Sequence, residues 1–255
     1  MQGFDEIVEK LKKIKEKGFV KTHRAGDTGV GKTLEDLLGI KENNVPGPNA
    51  EFIELKSARK NTSSMLTLFT KPPLPKSTNS KLLQEFGYVT KDSKGRKRLE
   101  TTVNAVRYNT LRGGVGFKID IKRDRIELVT KGRGKPGLQN FFNNIAKRES
   151  EEERVLGYWK YDILKNSFER KLPQVMYVKA EARGKGSEEE FWYNEAWLLS
   201  GFDFKGFKEL LKEGVILVDI RIGQYPDGRP HDHGTAFRVF KNNLDRCFKN
   251  RIRII

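Results

Sequence analysis

The stretch "GPNAEFIELKSAR", residues 47–59, says more about the fold than any other part of the sequence. Polar and apolar residues alternate over 51–57, which predicts a strand, because successive side chains of a strand point to opposite faces. Glu54 and Lys56 then share one face, and the leucine between them points to the other side. The stretch therefore predicts a strand that presents a carboxylate and an ammonium group next to each other.

Such a pair suits the hydrolysis of phosphodiester bonds. The carboxylate can hold Mg²⁺, which prefers oxygen ligands, and the metal activates water and offsets the charge of the transition state. The lysine can orient that water and stabilise the same charge. On its own the Glu-x-Lys pattern is a weak signal, since exposed strands often carry such pairs. Glu54 and Lys56 are therefore a candidate nuclease site, with a solvated surface pair as the alternative.

The composition favours a polyanionic partner. The chain has 255 residues, and its 50 lysines and arginines against 34 aspartates and glutamates give a net charge of +16. Nucleic acid is the usual partner of such a protein, and a merely soluble basic surface is the alternative. Cys247 is the only cysteine, which excludes an intrachain disulfide and a cysteine-based zinc site.

The same sequence features predict where the protein acts. The N-terminal segment does not look like a signal peptide, and no apolar run approaches the roughly 18 residues that span a bilayer. The lone cysteine suits a reducing compartment. We therefore expect a cytoplasmic protein of prokaryotic type with no membrane partner.

Helical and strand patterns follow each other without regular strand–helix–strand alternation. Apolar residues at helical spacing near the start predict an amphipathic helix that ends at Gly18. This mixture favours an α+β fold with a mixed sheet flanked by helices. The predicted strands lie at 65–70, 116–122, 125–130, 174–183, 191–199 and 215–223.

A second motif suggests a nucleotide-binding protein. Gly26–Thr33 matches the phosphate-loop pattern GxxxxGK[ST], and "VILVD" at 215–219 resembles the partner strand of P-loop enzymes. A phosphate loop follows a buried apolar strand, however, and the residues at 21–25 are Lys, Thr, His, Arg and Ala. A P-loop NTPase stays an alternative, and we expect no nucleotide cofactor. The loop otherwise leads into a helix capped by Thr33, or it places Glu35 near a metal ion.

Residues 218–239 concentrate side chains that can recognise bases. In the major groove, arginine can donate two hydrogen bonds to guanine, and aspartate can accept one from cytosine. Two histidines that flank an aspartate also suggest zinc, and polar residues at the end of a strand can be purely structural. The candidate recognition residues are Asp219, Arg221, His231, Asp232, His233 and Arg238.

Five segments, in the same order over most of the chain, resemble the MvaI/BcnI restriction endonucleases of the PD-(D/E)xK superfamily. MvaI is the nearer of the two, and the mismatch-repair nickase MutH is a more distant relative. The combination is far more specific than any one segment. The segments are "RAGDTGVGKTLEDLL" (24–38), "IELKS" (53–57), "MLTLFTK" (65–71), "FKIDI" (117–121) and the recognition segment at 218–239.

The resemblance implies a type II restriction endonuclease with a PD-(D/E)xK core and two lobes that form a DNA-binding cleft. It implies a catalytic lobe at about 1–115 and a recognition lobe at about 116–255. It also implies a monomer that uses Mg²⁺, for which Mn²⁺ can substitute. The implied target is a short G·C-rich duplex of CCNGG type with A·T at its centre (CCWGG).

The resemblance further assigns a role to each matching residue. Glu54 corresponds to the metal-binding acid of the ExK strand, Lys56 to its lysine, and Glu35 to the acid on the helix after the glycine loop. Asn49 stands where the family has a metal-binding aspartate. An amide oxygen brings one negative charge less, so Mg²⁺ would bind more weakly.

Three explanations of Asn49 are open. It is a deliberate Asp-to-Asn inactivation, or Glu51 replaces the missing acid, or the chain is by nature weakly active or inactive. Glu51 would point away from Glu54 on a strand, which argues against the second explanation. The third keeps open a sequence-specific DNA-binding protein without catalysis.

Overall fold

The fold is described from a computed structural model of the chain, which describes residues 3–40, 53–111, 114, 116–131 and 153–255. Within these ranges the helices are Phe4–Glu16 (α1), Gly29–Leu38 (α2), Thr78–Phe86 (α3), Tyr161–Lys171 (α4), Phe204–Lys212 (α5) and Leu244–Cys247 (α6). The strands are Val20–Lys21 (β1), Glu54–Arg59 (β2), Met65–Thr70 (β3), Tyr88–Val89 (β4), Lys97–Val103 (β5), Phe117–Ile121 (β6), Arg125–Lys131 (β7), Glu153–Lys160 (β8), Gln174–Arg183 (β9), Glu190–Ser200 (β10), Ile216–Gln224 (β11), Pro230–Asp232 (β12), Ala236–Phe240 (β13) and Asn250–Arg253 (β14).

The chain forms two compact units that alternate along the sequence. The first is built from Met1–Leu66, Phe168–Phe204 and Lys241–Ile255, and the second from Thr67–Ser167 and Lys205–Phe240. A border at about residue 115 is therefore not the border of the compact units, because the chain leaves the first unit twice and returns to it each time. The functional division into a catalytic lobe, a recognition lobe and a cleft stays a prediction.

The first unit contains a mixed sheet. Among the described residues its strand order is β1-β10-β9-β2, with β14 also paired to β10. β2 runs parallel to β9, with Glu54 opposite Val175 and Arg59 opposite Ala180, whereas the other pairs are antiparallel. Parallel neighbours need a long connection, so the two strands come from distant parts of the chain.

Both α1 and α2 pack on one face of this sheet. The apolar spacing of α1 predicts a buried stripe, and the structure confirms that stripe and the helix. The shared core places the apolar residues of both helices against alternate residues of β9 and the residue just before β2. Its members include Ile7, Leu11, Ile14, Leu34, Leu38, Ile53, Met176 and Val178.

The second unit has two sheets within the described residues. One has the order β3-β13-β11-β5-β4, with β12 also paired to β11, and the other has the order β6-β7-β8. Aromatic rings fill the core beside β13: Phe69 stacks on Phe237 with ring centres 4.9 Å apart, and Trp159 meets Phe237 edge-on at 5.8 Å. Such contacts add to the stabilisation from apolar burial.

These observations confirm the α+β fold with a mixed sheet flanked by helices. The six predicted strands correspond to β3, β6, β7, β9, β10 and β11, with differences of a residue or two at their ends. The sequence patterns do not predict β8 or α4 as they occur. None of the helices in the described ranges is long and apolar enough to cross a membrane.

Candidate active site and nucleic-acid interface

Glu54 and Lys56 lie on the same face of β2, as the alternation predicts. Glu54 is 5% exposed, and the side chain of Lys56 is 11% exposed. Lys56 Nζ donates to Glu54 Oε1 at 3.3 Å, and Lys171, the last residue of α4, donates to the same oxygen at 3.0 Å. The pair is therefore not a solvated surface pair but a buried carboxylate that holds two ammonium groups.

The second oxygen of this carboxylate is left for another ligand. Glu54 Oε2 is buried, and no residue in the described part of the chain bonds to it. A buried, unpaired carboxylate oxygen is costly, and an anionic oxygen is the ligand type that Mg²⁺ prefers. The site therefore fits a divalent cation bound through Glu54.

Tyr177 lies next to this site, because it is opposite Lys56 in the pairing of β2 with β9. Its hydroxyl is buried and also has no partner among the described residues. Burial, with a smaller contribution from Glu195, raises the pKa of Tyr177 to about 12. The hydroxyl therefore stays neutral at ordinary pH and can donate a hydrogen bond on the face that bears Glu54.

The side chain of Lys56 is buried beside two other charged groups. Burial lowers the pKa of Lys56 below its usual range, the charge of Glu54 acts against this, and the charge of Lys171 lowers the pKa further. The Glu54 carboxylate therefore opposes the effect of burial on the pKa of Lys56, and the two groups are coupled.

Glu35 lies on a helix that packs against the other face of β2. Its helix, α2, packs against the face of β2 that is opposite Glu54 and Lys56: Leu34 is in the core with Ile53, and a side chain at Gly31 would lie 3.5 Å from the Ser57 hydroxyl. Glu35 itself is half-buried. The described contacts thus bring Glu54 and Lys56 together, and the convergence of Glu35 on the same metal stays a prediction.

Asn49 and Glu51 lie outside the described residues, so the roles predicted for them are untested. Within the described ranges, no three histidine, cysteine, aspartate or glutamate side chains form a group that could hold a metal. Glu54 is therefore the one predicted metal ligand whose surroundings support that role.

The helix after the glycine loop begins earlier than predicted. α2 starts at Gly29, and Thr33, the predicted cap, is buried within it and accepts a hydrogen bond from the backbone N–H of His23. Lys32, the lysine of the phosphate-loop pattern, pairs with Asp36 at 2.8 Å. The preceding strand, β1, has two residues. A phosphate loop needs a buried strand before it and a helix N-terminus that faces the ligand, so this geometry does not support an NTPase.

The glycine loop before α2 is anchored by hydrogen bonds to its backbone carbonyl groups. Arg59, at the end of β2, donates to the carbonyl oxygens of Gly26 at 3.0 Å and Asp27 at 3.2 Å. The same guanidinium donates to both oxygens of Glu189, at 2.6 and 2.7 Å. The glycine loop is therefore a structural connection that fixes α2 against the strand bearing Glu54.

Replacing Arg59 by methionine is expected to lower the free energy of unfolding by about 3–5 kcal/mol, because Glu189 would stay buried without its partner. The two side chains are 17% and 12% exposed. Arg183→Met is the matched control, since Arg183 pairs with Glu190 while 61% exposed and should contribute less than about 1 kcal/mol. Urea denaturation followed by circular dichroism measures both losses, and equal losses would contradict the role of Arg59.

In the second unit, Asp219 holds two of the predicted recognition arginines. It is 3% exposed, and its Oδ2 lies 2.7 Å from Arg221 Nε and 3.1 Å from Arg238 Nε. Its Oδ1 accepts a hydrogen bond from the Thr102 hydroxyl at 3.0 Å. The pairing of β11 with β5 and β13 brings the four residues together. Asp219 is therefore placed to orient the two arginines, and the base contact predicted for it stays a prediction.

Asp232 is used within the fold. Its Oδ1 accepts hydrogen bonds from the backbone N–H groups of Gly234 at 2.9 Å and Thr235 at 2.7 Å, and its Oδ2 accepts one from Asn79 at 2.9 Å. This is a turn held by an aspartate side chain. The geometry thus supports a structural role for Asp232, and the base recognition predicted for it stays a prediction.

The two histidines of the recognition segment take part in an aromatic stack. The His231 ring stacks on Tyr225 at 4.4 Å, and the His233 ring lies 4.2 Å from that of His231. Tyr225 and His233 are exposed. The predicted zinc alternative finds no ligand group in the described part of the chain. The stack instead offers aromatic surface and ring nitrogens at the β11–β12 hairpin.

The sequence patterns did not predict Lys171, which donates to Glu54, or Thr102, which donates to Asp219. Each lies more than a hundred residues along the chain from its carboxylate partner. No local spacing could connect them, because the contacts exist only after β2 pairs with β9 and β5 pairs with β11.

The whole chain is similar to known restriction enzymes. A family model of the MvaI/BcnI restriction endonuclease family matches residues 8–248. Two solved structures match at 30% identity over 100% of both chains: restriction endonuclease MvaI in a complex with its cognate DNA substrate, with a TM-score of 0.84, and MvaI in the absence of DNA, with a TM-score of 0.56. No curated protein matches the sequence significantly. The chain therefore belongs to the MvaI/BcnI restriction endonuclease family.

Proposed function

We propose that the chain is a Mg²⁺-dependent type II endonuclease that hydrolyses phosphodiester bonds at a short site in double-stranded DNA. The observation that supports this most is the buried Glu54 carboxylate, which binds two lysines through one oxygen and leaves the other oxygen unpaired among the described residues. The net charge of +16 supports a polyanionic substrate. The solved complex of MvaI with DNA supports the same substrate class.

Glu54 Oε2 would hold the metal, with Glu35 and Asn49 as the further ligands that the family pattern suggests. A bound Mg²⁺ would supply a water of lowered pKa and positive charge beside the phosphate, and Mn²⁺ would serve in its place because it also accepts oxygen ligands. The chain itself contributes Lys56, which donates a hydrogen bond to Glu54. Its ammonium group can donate to a phosphate oxygen as negative charge develops there.

Recognition rests on Arg221 and Arg238. Each guanidinium can donate two hydrogen bonds to a guanine, and the carboxylate of Asp219 fixes the direction of both. Two such arginines suit a G·C-rich target, for which we propose CCNGG with A·T at the centre. His231 and His233 are the remaining candidates for base contacts, and Asp232 supports the turn that carries them.

Replacing Asp219 by alanine is expected to reduce the preference for a CCAGG duplex over an unrelated duplex by about 10- to 100-fold, because both arginines lose their orientation. Asp227→Ala is the matched control: Asp227 also pairs with an arginine, Arg229, but the two side chains are 49% and 77% exposed. Fluorescence anisotropy with EDTA present measures the two affinities. An unchanged preference in Asp219→Ala would contradict its orienting role.

We also propose that the protein acts as a monomer in the cytoplasm, with no nucleotide cofactor. The deciding experiment incubates a supercoiled plasmid bearing CCWGG sites with the chain and with its Asn49→Asp variant, in Mg²⁺, Mn²⁺ or EDTA. Discrete, metal-dependent fragments support the proposed function. Retarded bands without cutting by either form would favour a non-catalytic DNA-binding protein, the alternative that Asn49 keeps open.

A further inference from the structure

Glu54 contacts one more cation than the ExK pattern contains. The pattern contains one lysine, Lys56, yet Lys171 donates to the same Oε1 and is the closer of the two, at 3.0 Å against 3.3 Å. Lys171 ends α4, where a cation is also favoured by the helix dipole. Among the described groups in direct contact with Glu54, one negative charge thus faces two positive charges.

The two lysines differ in how freely they can leave the carboxylate. The side chain of Lys56 is 11% exposed, whereas that of Lys171 is 31% exposed. A phosphate group that approaches from solvent can therefore reach Lys171 more easily. Because like charges repel strongly in a partly buried site, a divalent cation must bind near Glu54 against the charge of Lys171.

We infer that Lys171 is an internal counter-ion of Glu54 that weakens metal binding in the free protein and exchanges to a DNA phosphate in the complex. The inference rests on the proposed function, since it takes Glu54 as a metal ligand. When Lys171 turns to a phosphate, Glu54 Oε1 loses one of its two cations and attracts a metal more strongly. Lys171 is then a positioning residue that links metal affinity to DNA binding.

The link is reciprocal. If DNA raises the affinity for the metal by some factor, the metal must raise the affinity for DNA by the same factor. Lys171 contributes to this factor only if it has two alternative partners, Glu54 and the phosphate. Methionine keeps the length of the side chain but removes the charge, so it would abolish this contribution, whereas arginine would preserve most of it.

The first test measures Mn²⁺ binding to the free protein by the loss of the EPR signal of free Mn²⁺. Lys171→Met and Lys171→Gln should each bind Mn²⁺ about 3- to 10-fold more tightly than the unaltered chain, because one repelling charge is gone. Lys171→Arg should stay within about twofold. Lys212→Met is the matched control, since Lys212 is an exposed lysine that also ends a helix, α5, and should leave Mn²⁺ affinity unchanged.

A merely structural role of Lys171 would move the melting temperature without tightening Mn²⁺ binding. Unchanged or weaker Mn²⁺ affinity in both Lys171→Met and Lys171→Gln overturns the inference, and so does an absence of Mn²⁺ binding in every protein tested. Two neutral replacements are used in case one of the variants folds poorly. Thermal denaturation identifies a variant that does.

The second test measures the link itself. Anisotropy gives the affinity for a CCAGG duplex in EDTA and in Ca²⁺, and the ratio of the two affinities is the coupling factor. Lys171→Met should lower this factor at least about threefold, and Lys171→Arg should restore it. An equal factor in all variants overturns the inference. Because neither test measures cleavage, a failure of the inference and a failure of the proposed nuclease activity are distinguishable.

Discussion

Cleavage of a plasmid with CCWGG sites in Mg²⁺ is expected to be at least about 100-fold faster for the Asn49→Asp variant than for the chain with Asn49. By the family pattern, an aspartate at position 49 would add an anionic ligand to the proposed metal site, where the described contacts of Glu54 are with the cations Lys56 and Lys171. A more negative site binds Mg²⁺ more tightly and holds it in a geometry that can activate water.

Initial rates of loss of the supercoiled form, measured over a range of Mg²⁺ concentrations, check this expectation. Asn44→Asp is a suitable control, because it makes the same chemical change five residues earlier without restoring the PD pattern. Equal rates for the chain and its Asn49→Asp variant, or no cleavage by either, would argue against the assigned active site.

Replacing Glu54 by glutamine in the Asn49→Asp background is expected to reduce cleavage by about 1,000-fold or more. Glutamine has the same shape, but it removes the charge that would bind the metal and that opposes the effect of burial on the pKa of Lys56. Two functions would therefore be lost with one change. Single-turnover cleavage of a CCAGG duplex with saturating Mg²⁺ measures the loss.

Glu195→Gln is the control for this experiment, since Glu195 is another carboxylate with two lysine partners, Lys179 at 2.7 Å and Lys60 at 3.2 Å. Burial acts to raise the pKa of Glu195, but hydrogen bonds from Lys179, Trp197 and Lys60 outweigh it and lower the pKa to about 2. Cleavage by Glu195→Gln should stay within about threefold of the background variant. A comparable loss in both variants would mean that Glu54 acts only through stability.

The sequence predicts those features that depend on neighbouring residues. Alternation over 51–57 is enough to place Glu54 and Lys56 on one face, because side-chain direction in a strand follows from the backbone alone. The amphipathic helix α1 and the strand β11 follow from their own apolar spacing in the same way.

Features that depend on distant segments could not be predicted. Helix α2 starts four residues before the predicted cap, Thr33. Arg59, at the end of β2, binds the carbonyl groups of the loop that precedes α2. The contacts of Asp219 with Thr102 and two arginines form only once β5 and β13 pair with β11, so its sequence neighbours do not reveal them. Lys171 lies on a helix that the sequence pattern did not predict, and its proximity to Glu54 follows only from the three-dimensional fold.

The parallel pairing of β2 with β9 also determines when the site around Glu54 can form during synthesis of the chain. A ribosome releases Glu54 and Lys56 early, but their neighbouring strand begins at Gln174 and therefore emerges much later. Nascent chains and truncated translation products that end before β9 lack the strand with which β2 pairs in the described part of the chain. The proposed nuclease site should thus form only in chains synthesised beyond β9, which ties its assembly to late translation.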